Sequence, residues 1–330
     1  MSRMQDHCEV ILMCMFCGRR RLWFLGIALI LVSAAVLSGR GQSVEVLLTS
    51  ETGWAVPDGL HEAREMSGPI RISIRGIGDF RVDPSELTGH RPDIFVDGRF
   101  SIYDVLMALD ARGEIQVESH FDAELATHVI DSVDGQAGWW YEAHYDGGWF
   151  ERSVVRMDHY PVKDGTTIRF EKVSGVRLDT IFDSYRAEVE RLEANNGRVV
   201  IPQVTFEGPR RREIEFTDVE VTAHDSRPDL FQPGVITALD VLLSLGEQGM
   251  LREVGLSWYE SIGSADPVEH YFIERVVADG FEAQANGGCG FVYEVGPRAF
   301  FGFDGNHVHI PTDARVILSP EYALWFWLCL

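Results

Sequence analysis

Basic residues are scarce in this chain. Its 330 residues hold 29 Lys and Arg against 51 Asp and Glu, a net charge of −22. A nucleic-acid binder needs a basic footprint to neutralise phosphates, so this balance excludes that class of partner. What positive charge stands out is local, at Arg19–Arg21 and Arg210–Arg212. The second trio precedes a strand-like run and reads as a solvated edge. Cysteine is also rare: five residues, three of which (Cys8, Cys14, Cys17) precede residue 18. The Cys14-x-x-Cys17 spacing has no second pair to complete a zinc site. Cys289 and Cys329 remain, either as one disulfide or as two buried thiols. Catalytic signatures are missing as well. There is no Gly-x-Ser-x-Gly elbow, no phosphate-cradling loop, no His-Glu-x-x-His and no Gly-x-Gly-x-x-Gly at a strand–helix junction. The expectation is a protein that is not an enzyme and needs no cofactor.

Long apolar runs are few, and the notable one is Leu22–Ser38, directly behind Arg19–Arg21. A basic segment, an apolar stretch and then small residues read as an export signal. Its 17 residues also approach the length that spans a bilayer, so an uncleaved anchor stays open. Residues 1–41 are therefore expected to be a signal peptide or membrane anchor. The rest is expected to be extracytoplasmic, secreted or held at the membrane by residues 22–38, with no other membrane contact. Met13 or Met15 would give such a leader a more ordinary start.

What the chain does have is a repeat. The nineteen residues Arg91–Leu109 recur as Arg227–Leu245, offset by 136 (227 − 91), with nine identities; unrelated segments would share about one. So long a period indicates a duplicated domain rather than a solenoid. Residues 42–67 read as a linker with a strand-like start, 68–175 as repeat 1, 176–197 as a linker helix and 198–330 as repeat 2. Ile70, Ile72 and Ile74 alternate with polar residues, the pattern of a half-buried strand. Ser101-x-x-Asp104 and Thr237-x-x-Asp240 are capping boxes, each ahead of an apolar helical stripe. Ile181, Tyr185, Val189 and Leu192 mark a helix that stops at Asn196-Gly197. Trp139, Tyr141 and Ala143 alternate onto a core face, matched by Phe291, Tyr293 and Val295, leaving Trp140, Glu142 and His144 opposite. Closing strands are expected at Thr166–Phe170 and Arg315–Leu318, and a buried strand in the final run from Ala323.

Ser101-Ile-Tyr-Asp-Val-Leu106, Asp134-Gly135, Gly138-Trp-Trp-Tyr141 and Lys163-Asp-Gly-Thr166, with their counterparts at 237–242, 279–280, 290–293 and 312–313, resemble the transcobalamin C-terminal-like domain. That family is similar to the soluble-ligand-binding β-grasp group. The resemblance covers about residues 68–170 and 205–320. It implies an α+β fold of two tandem β-grasp-like domains, each a mixed sheet packed on one helix, joined by the linker helix. It also implies a soluble ligand, cobalamin-like or a glycan. In repeat 2, Phe291 replaces the usual Trp and the loops are longer.

Two groups of side chains are candidates for function. Trp140 and His144, with Trp149 and Phe150 beyond the Asp146-Gly147 turn, could stack on a flat ligand or sugar, or anchor a partner; a small core beneath the linker helix is the alternative. His307 and His309 share one face of a strand near Asp304 and are metal-ligand candidates lacking an identifiable third ligand. Asp131–Gly135 reads as a turn rather than a calcium loop. The expected role is non-enzymatic binding of a soluble small molecule. The alternative is a structural or adhesion protein whose repeats engage an envelope protein.

Overall fold

Apolar alternation at Ile70, Ile72 and Ile74 buries these three side chains almost completely in a strand, as the pattern predicts. The computed structural model describes residues 43–57, 64–145, 151–262, 265–302, 304–307 and 309–329. The apolar run 22–38, Cys14 and Cys17, the Asp146-Gly147 turn, Trp149 and Phe150 lie outside the described residues. Among those residues no helix is long and apolar enough to cross a membrane. The fold is α+β.

In chain order the strands and helices of the first half are β1 (Ser43–Thr49), β2 (Ile70–Ile74), β3 (Gly78–Val82), α1 (Ile102–Ala111), β4 (Val117–Asp122), β5 (Thr127–Val133), β6 (Trp139–His144), β7 (Glu151–Arg152) and β8 (Thr167–Lys172). Helix α2 (Gly175–Ala194) links to β9 (Val199–Glu207), β10 (Glu213–Val221), α3 (Ala238–Glu247), β11 (Leu251–Tyr259), β12 (His270–Ala278), β13 (Phe281–Gln284), β14 (Cys289–Gly296) and β15 (Tyr322–Cys329).

The main sheet of the first half runs β3-β2-β8-β6-β7, and that of the second runs β10-β9-β15-β14. Both have a parallel central pair, β2 with β8 and β9 with β15, flanked by antiparallel neighbours. Each helix follows the hairpin that opens its half, and its apolar stripe lies in the same cluster as that sheet. Both capping boxes are present, with Asp104 accepting from the Ser101 N–H and Oγ–H, and Asp240 from those of Thr237. Helix α2 ends in a Schellman arrangement, the Gly197 N–H donating to Leu192 O and the Asn196 N–H to Glu193 O.

The halves differ in the second sheet. In the first half β4 and β5 form a two-stranded sheet, whereas β11 and β12 are flanked by β13 and by β1, whose whole length pairs with Glu253–Tyr259 of β11. The segment after β1 is strapped down by Trp54. A Cβ on Gly246 of α3 would lie 2.2 Å from the Trp54 Cε3, so the glycine makes room for the indole. Thus the N-terminal segment, expected as a linker, supplies Val46, Leu48, Trp54 and Val56 to the second core.

Two expectations are corrected. The closing strand of the second half is Tyr322–Cys329, which includes the buried run from Ala323, and not Arg315–Leu318. Residues 315–318 instead cross the start of α3: the Ala238 N–H donates to Arg315 O, and the Ile317 N–H to Ile236 O. A segment so held has no free ladder partner, and Pro320 separates it from the strand proper. Second, Trp140 is only 7% exposed although it lies opposite Trp139 and Tyr141. Helix α2 covers that face, with Phe182 edge-on to Trp140 at 6.1 Å.

Candidate functional site

The strongest sequence motif, Arg-Pro-Asp, builds the same ionic staple twice. Arg91 donates from Nε and Nη2 to the two oxygens of Asp93 (2.9 and 2.7 Å) and from Nη1 to Asp158 (2.8 Å). Arg227 does likewise to Asp229 (2.8 and 2.8 Å) and Asp313 (2.7 Å). The proline sits between the paired residues, and the following turn closes through the Phe95 and Phe231 N–H groups onto Arg91 O and Arg227 O. A forked guanidinium matches a carboxylate in two parallel bonds, which is why arginine rather than lysine suits this position.

Asp158 and Asp313 are fully buried. Burial alone would raise their pKa values, but the adjoining His and Arg groups hold both carboxyls well below the usual range. An imidazole completes each staple, drawn from different places. His159 Nε2 lies 2.7 Å from Arg91 Nη1, while His270 Nδ1 lies 2.7 Å from Arg227 Nη1 and 3.0 Å from Asp313. Burial pushes His159 down to about 3 and His270 down to about 4, so both are neutral at pH 7. A second duplicated clamp joins the helix caps to the chain before the motif. Asp104 accepts from the His90 N–H and Asp240 from the His224 N–H, each at 2.9 Å. These charges are saturated by one another, and the staples order loops and helix starts.

The staples sit beside a contact between the halves. Phe95 and Phe231, which occupy the same place in the two repeats, face each other in an antiparallel bridge with ring centroids 5.6 Å apart. Val96 N–H donates to Leu230 O (3.2 Å), and Gln232 N–H to Ile94 O (2.8 Å). Under the offset of 136 these two bonds exchange: 96 becomes 232 and 94 becomes 230. The contact is therefore isologous, as in a two-fold dimer, but made within one chain.

A second junction is not symmetric and is chemically richer. Glu151 on β7 of the first half reaches His309 of the second. Its carboxylate accepts the His309 N–H, and His309 Nδ1 lies 3.2 Å from Glu151 Oε1. The Val154 N–H donates to Gly305 O nearby (3.2 Å). His307 Nδ1 lies 3.1 Å from Tyr293 O. A carbonyl can only accept, so Nδ1 carries the proton and the lone pair sits on Nε2. Ligand atoms of Glu151, His307 and His309 all lie within 4.8 Å of one another. Burial raises Glu151 well above the ordinary carboxylate range, lowers His307 to about 4 and, with His307 and His144 adding to it, lowers His309 to about 3.

The structure thus redistributes the two groups of candidates. Trp140 is packed under α2 and donates from Nε1 to Ser153 O (2.6 Å), so its indole has no open face for stacking. His144 is half-buried and close enough to His309 to depress it, bringing one member of the aromatic group next to the histidine pair. Asp304 turns away to Arg177 of α2 (3.1 Å). Glu151 is the third group beside the histidines, and sequence reading could not find it because it lies 156 residues before His307 (307 − 151) in the other half. Asp158 and Asp313 hold equivalent positions in the two halves. Cys289 and Cys329 are joined in a disulfide across β14 and β15. Comparison with known proteins finds no family model, no curated protein and no solved structure that matches this chain.

Proposed function

We propose that this chain is an extracytoplasmic, non-enzymatic binding protein made of two β-grasp-like modules descended from one ancestral unit and fused as an internal dimer. It meets a macromolecular partner, an envelope protein, through its surface. The observation that carries this reading is the duplicated interior. The same sheet order, capping boxes and Arg–Asp staples recur in both halves, and the repeated segment forms the contact between them. Such a constellation fixes shape, its charged groups being spent on one another. The disulfide supports an oxidising compartment.

A surface partner is favoured over a cobalamin-sized ligand by the size of the interior spaces. Two cavities among the described residues, one beneath α2 and one between the halves, measure about 10 and 20 Å³, room for one water each. Drug-sized ligands occupy roughly 300–1,000 Å³. The test is equilibrium binding of the purified exported chain, offered in parallel to envelope proteins and to a panel of corrinoids and glycans. Saturable binding of one envelope protein, competed by the free chain, is the expected result. Saturable binding of a corrinoid or glycan instead would overturn the proposal.

A further inference from the structure

We propose that Glu151, His307 and His309 form a divalent transition-metal site, with Zn²⁺ as its ion, bridging β7 of the first half to the two histidines of the second. This proposal is independent of the partner reading above. Two imidazoles and one carboxylate are a donor set that zinc takes with a water in the fourth position. The arrangement fits in three respects.

First, the donors converge: their ligand atoms lie within 4.8 Å of one another. Around a tetrahedral zinc with bonds of about 2.0–2.2 Å, ligands stand roughly 3.4 Å apart. The side chains therefore need to close by roughly 1–1.5 Å at most, within the reach of small side-chain adjustments. Second, the Nδ1–H of His307 is held by the Tyr293 carbonyl, the outer contact that fixes a ligating imidazole with its Nε2 lone pair available. Third, the donors are enclosed: Glu151 is 5% and His307 4% exposed, so a bound ion would be shielded from bulk water.

The site would be a cross-brace, because one ligand comes from the first half and two from the second. Removing it should loosen the junction without touching the Phe95–Phe231 contact.

The experiment uses the full chain stripped with a chelator and titrated with ZnCl₂ by calorimetry. Co²⁺ is then loaded in place of zinc to read geometry from its visible bands. One equivalent of zinc and a tetrahedral cobalt spectrum are expected. Glu151→Gln and His309→Gln should each weaken binding by about 100-fold or more, at the upper end of what even outer-shell changes produce. His120→Gln, at an exposed pair with Asp131, should leave it unchanged. If a variant fails to fold by circular dichroism, X-ray absorption of the zinc-loaded wild type decides. A nitrogen and oxygen shell containing two imidazoles supports the site, and a sulfur-containing or all-oxygen shell overturns it. Absence of saturable binding, or equal binding by both folded variants, overturns it too.

Discussion

Replacing Asp313 by Asn removes a buried charge while keeping its shape, and the consequence can be worked from its contacts. Asp313 accepts from Arg227 Nη1 (2.7 Å) and from the Tyr271 N–H (3.2 Å), and it lies against His270. Stripping one partner from a buried pair costs about 3–5 kcal/mol, because the other charge is left without compensation. Here Arg227 keeps both bonds to Asp229, itself nearly buried, which places the loss near the lower end, about 3 kcal/mol. In the other half, Asp158→Asn leaves Arg91 with Asp93, which is 63% exposed. Solvent screens that partner, so the loss there should be at least as large, about 3–4 kcal/mol. Asp131→Asn, at a half-exposed pair with His120, is the control and should move stability by less than about 0.5 kcal/mol. Urea unfolding at pH 7.5 gives the totals, and amide exchange in each half shows where protection falls. If the Asp158 and Asp313 variants stay within about 0.5 kcal/mol of wild type, or only one of them responds, the reasoning is refuted.

Three further outcomes follow from particular residues. His270 has a folded-state pKa pushed below its ordinary value of 6.5, to about 4. Its contribution to stability is therefore present above 6.5 and lost as pH falls through 4. The stability gap between wild type and His270→Gln should shrink from pH 7 to pH 4 in urea titrations, and a gap that widens would show the wrong sign. Gly246→Ala places a methyl where the Trp54 ring lies, so the strap carrying β1 should detach. Overpacking costs about 1–3 kcal/mol, and the Trp54 segment should become susceptible to limited proteolysis. Replacing Cys289 and Cys329 together by Ser opens a closure with a sequence separation of 40 residues. By loop entropy this lowers stability by about 4 kcal/mol, measured against wild type under oxidising conditions.

Much of this architecture is legible in the residues. The identity between Arg91–Leu109 and Arg227–Leu245 revealed the duplication, because the helix cap and the Arg–Asp staple both need particular side chains and resist drift. The caps at Ser101 and Thr237 and the stop at Asn196-Gly197 follow from local chemistry alone. What depends on distant partners is not legible. Alternation puts Trp140 opposite Trp139 but leaves open whether a ligand or the linker helix covers it, and α2 does. The strand-like start of residues 42–67 is β1, but its partner, β11, lies some 200 residues on and is not legible. The staples also hide their kinship, since His159 follows Asp158 directly whereas His270 comes from β12. Glu151 joins the two histidines only after both halves have folded and met.

The most direct measurement concerns the contact between the two repeats. Phe95 and Phe231 are opposed between two flanking hydrogen bonds, a pairing in which Cα atoms lie about 4.5 Å apart. That spacing lies within the range a disulfide spans, roughly 4.4–6.8 Å. In the oxidised double variant Phe95→Cys/Phe231→Cys, peptide mapping should find an intramolecular bond between positions 95 and 231 alongside Cys289–Cys329. Free thiols at both positions in a folded chain, or cross-links only between molecules, would contradict the internal dimer.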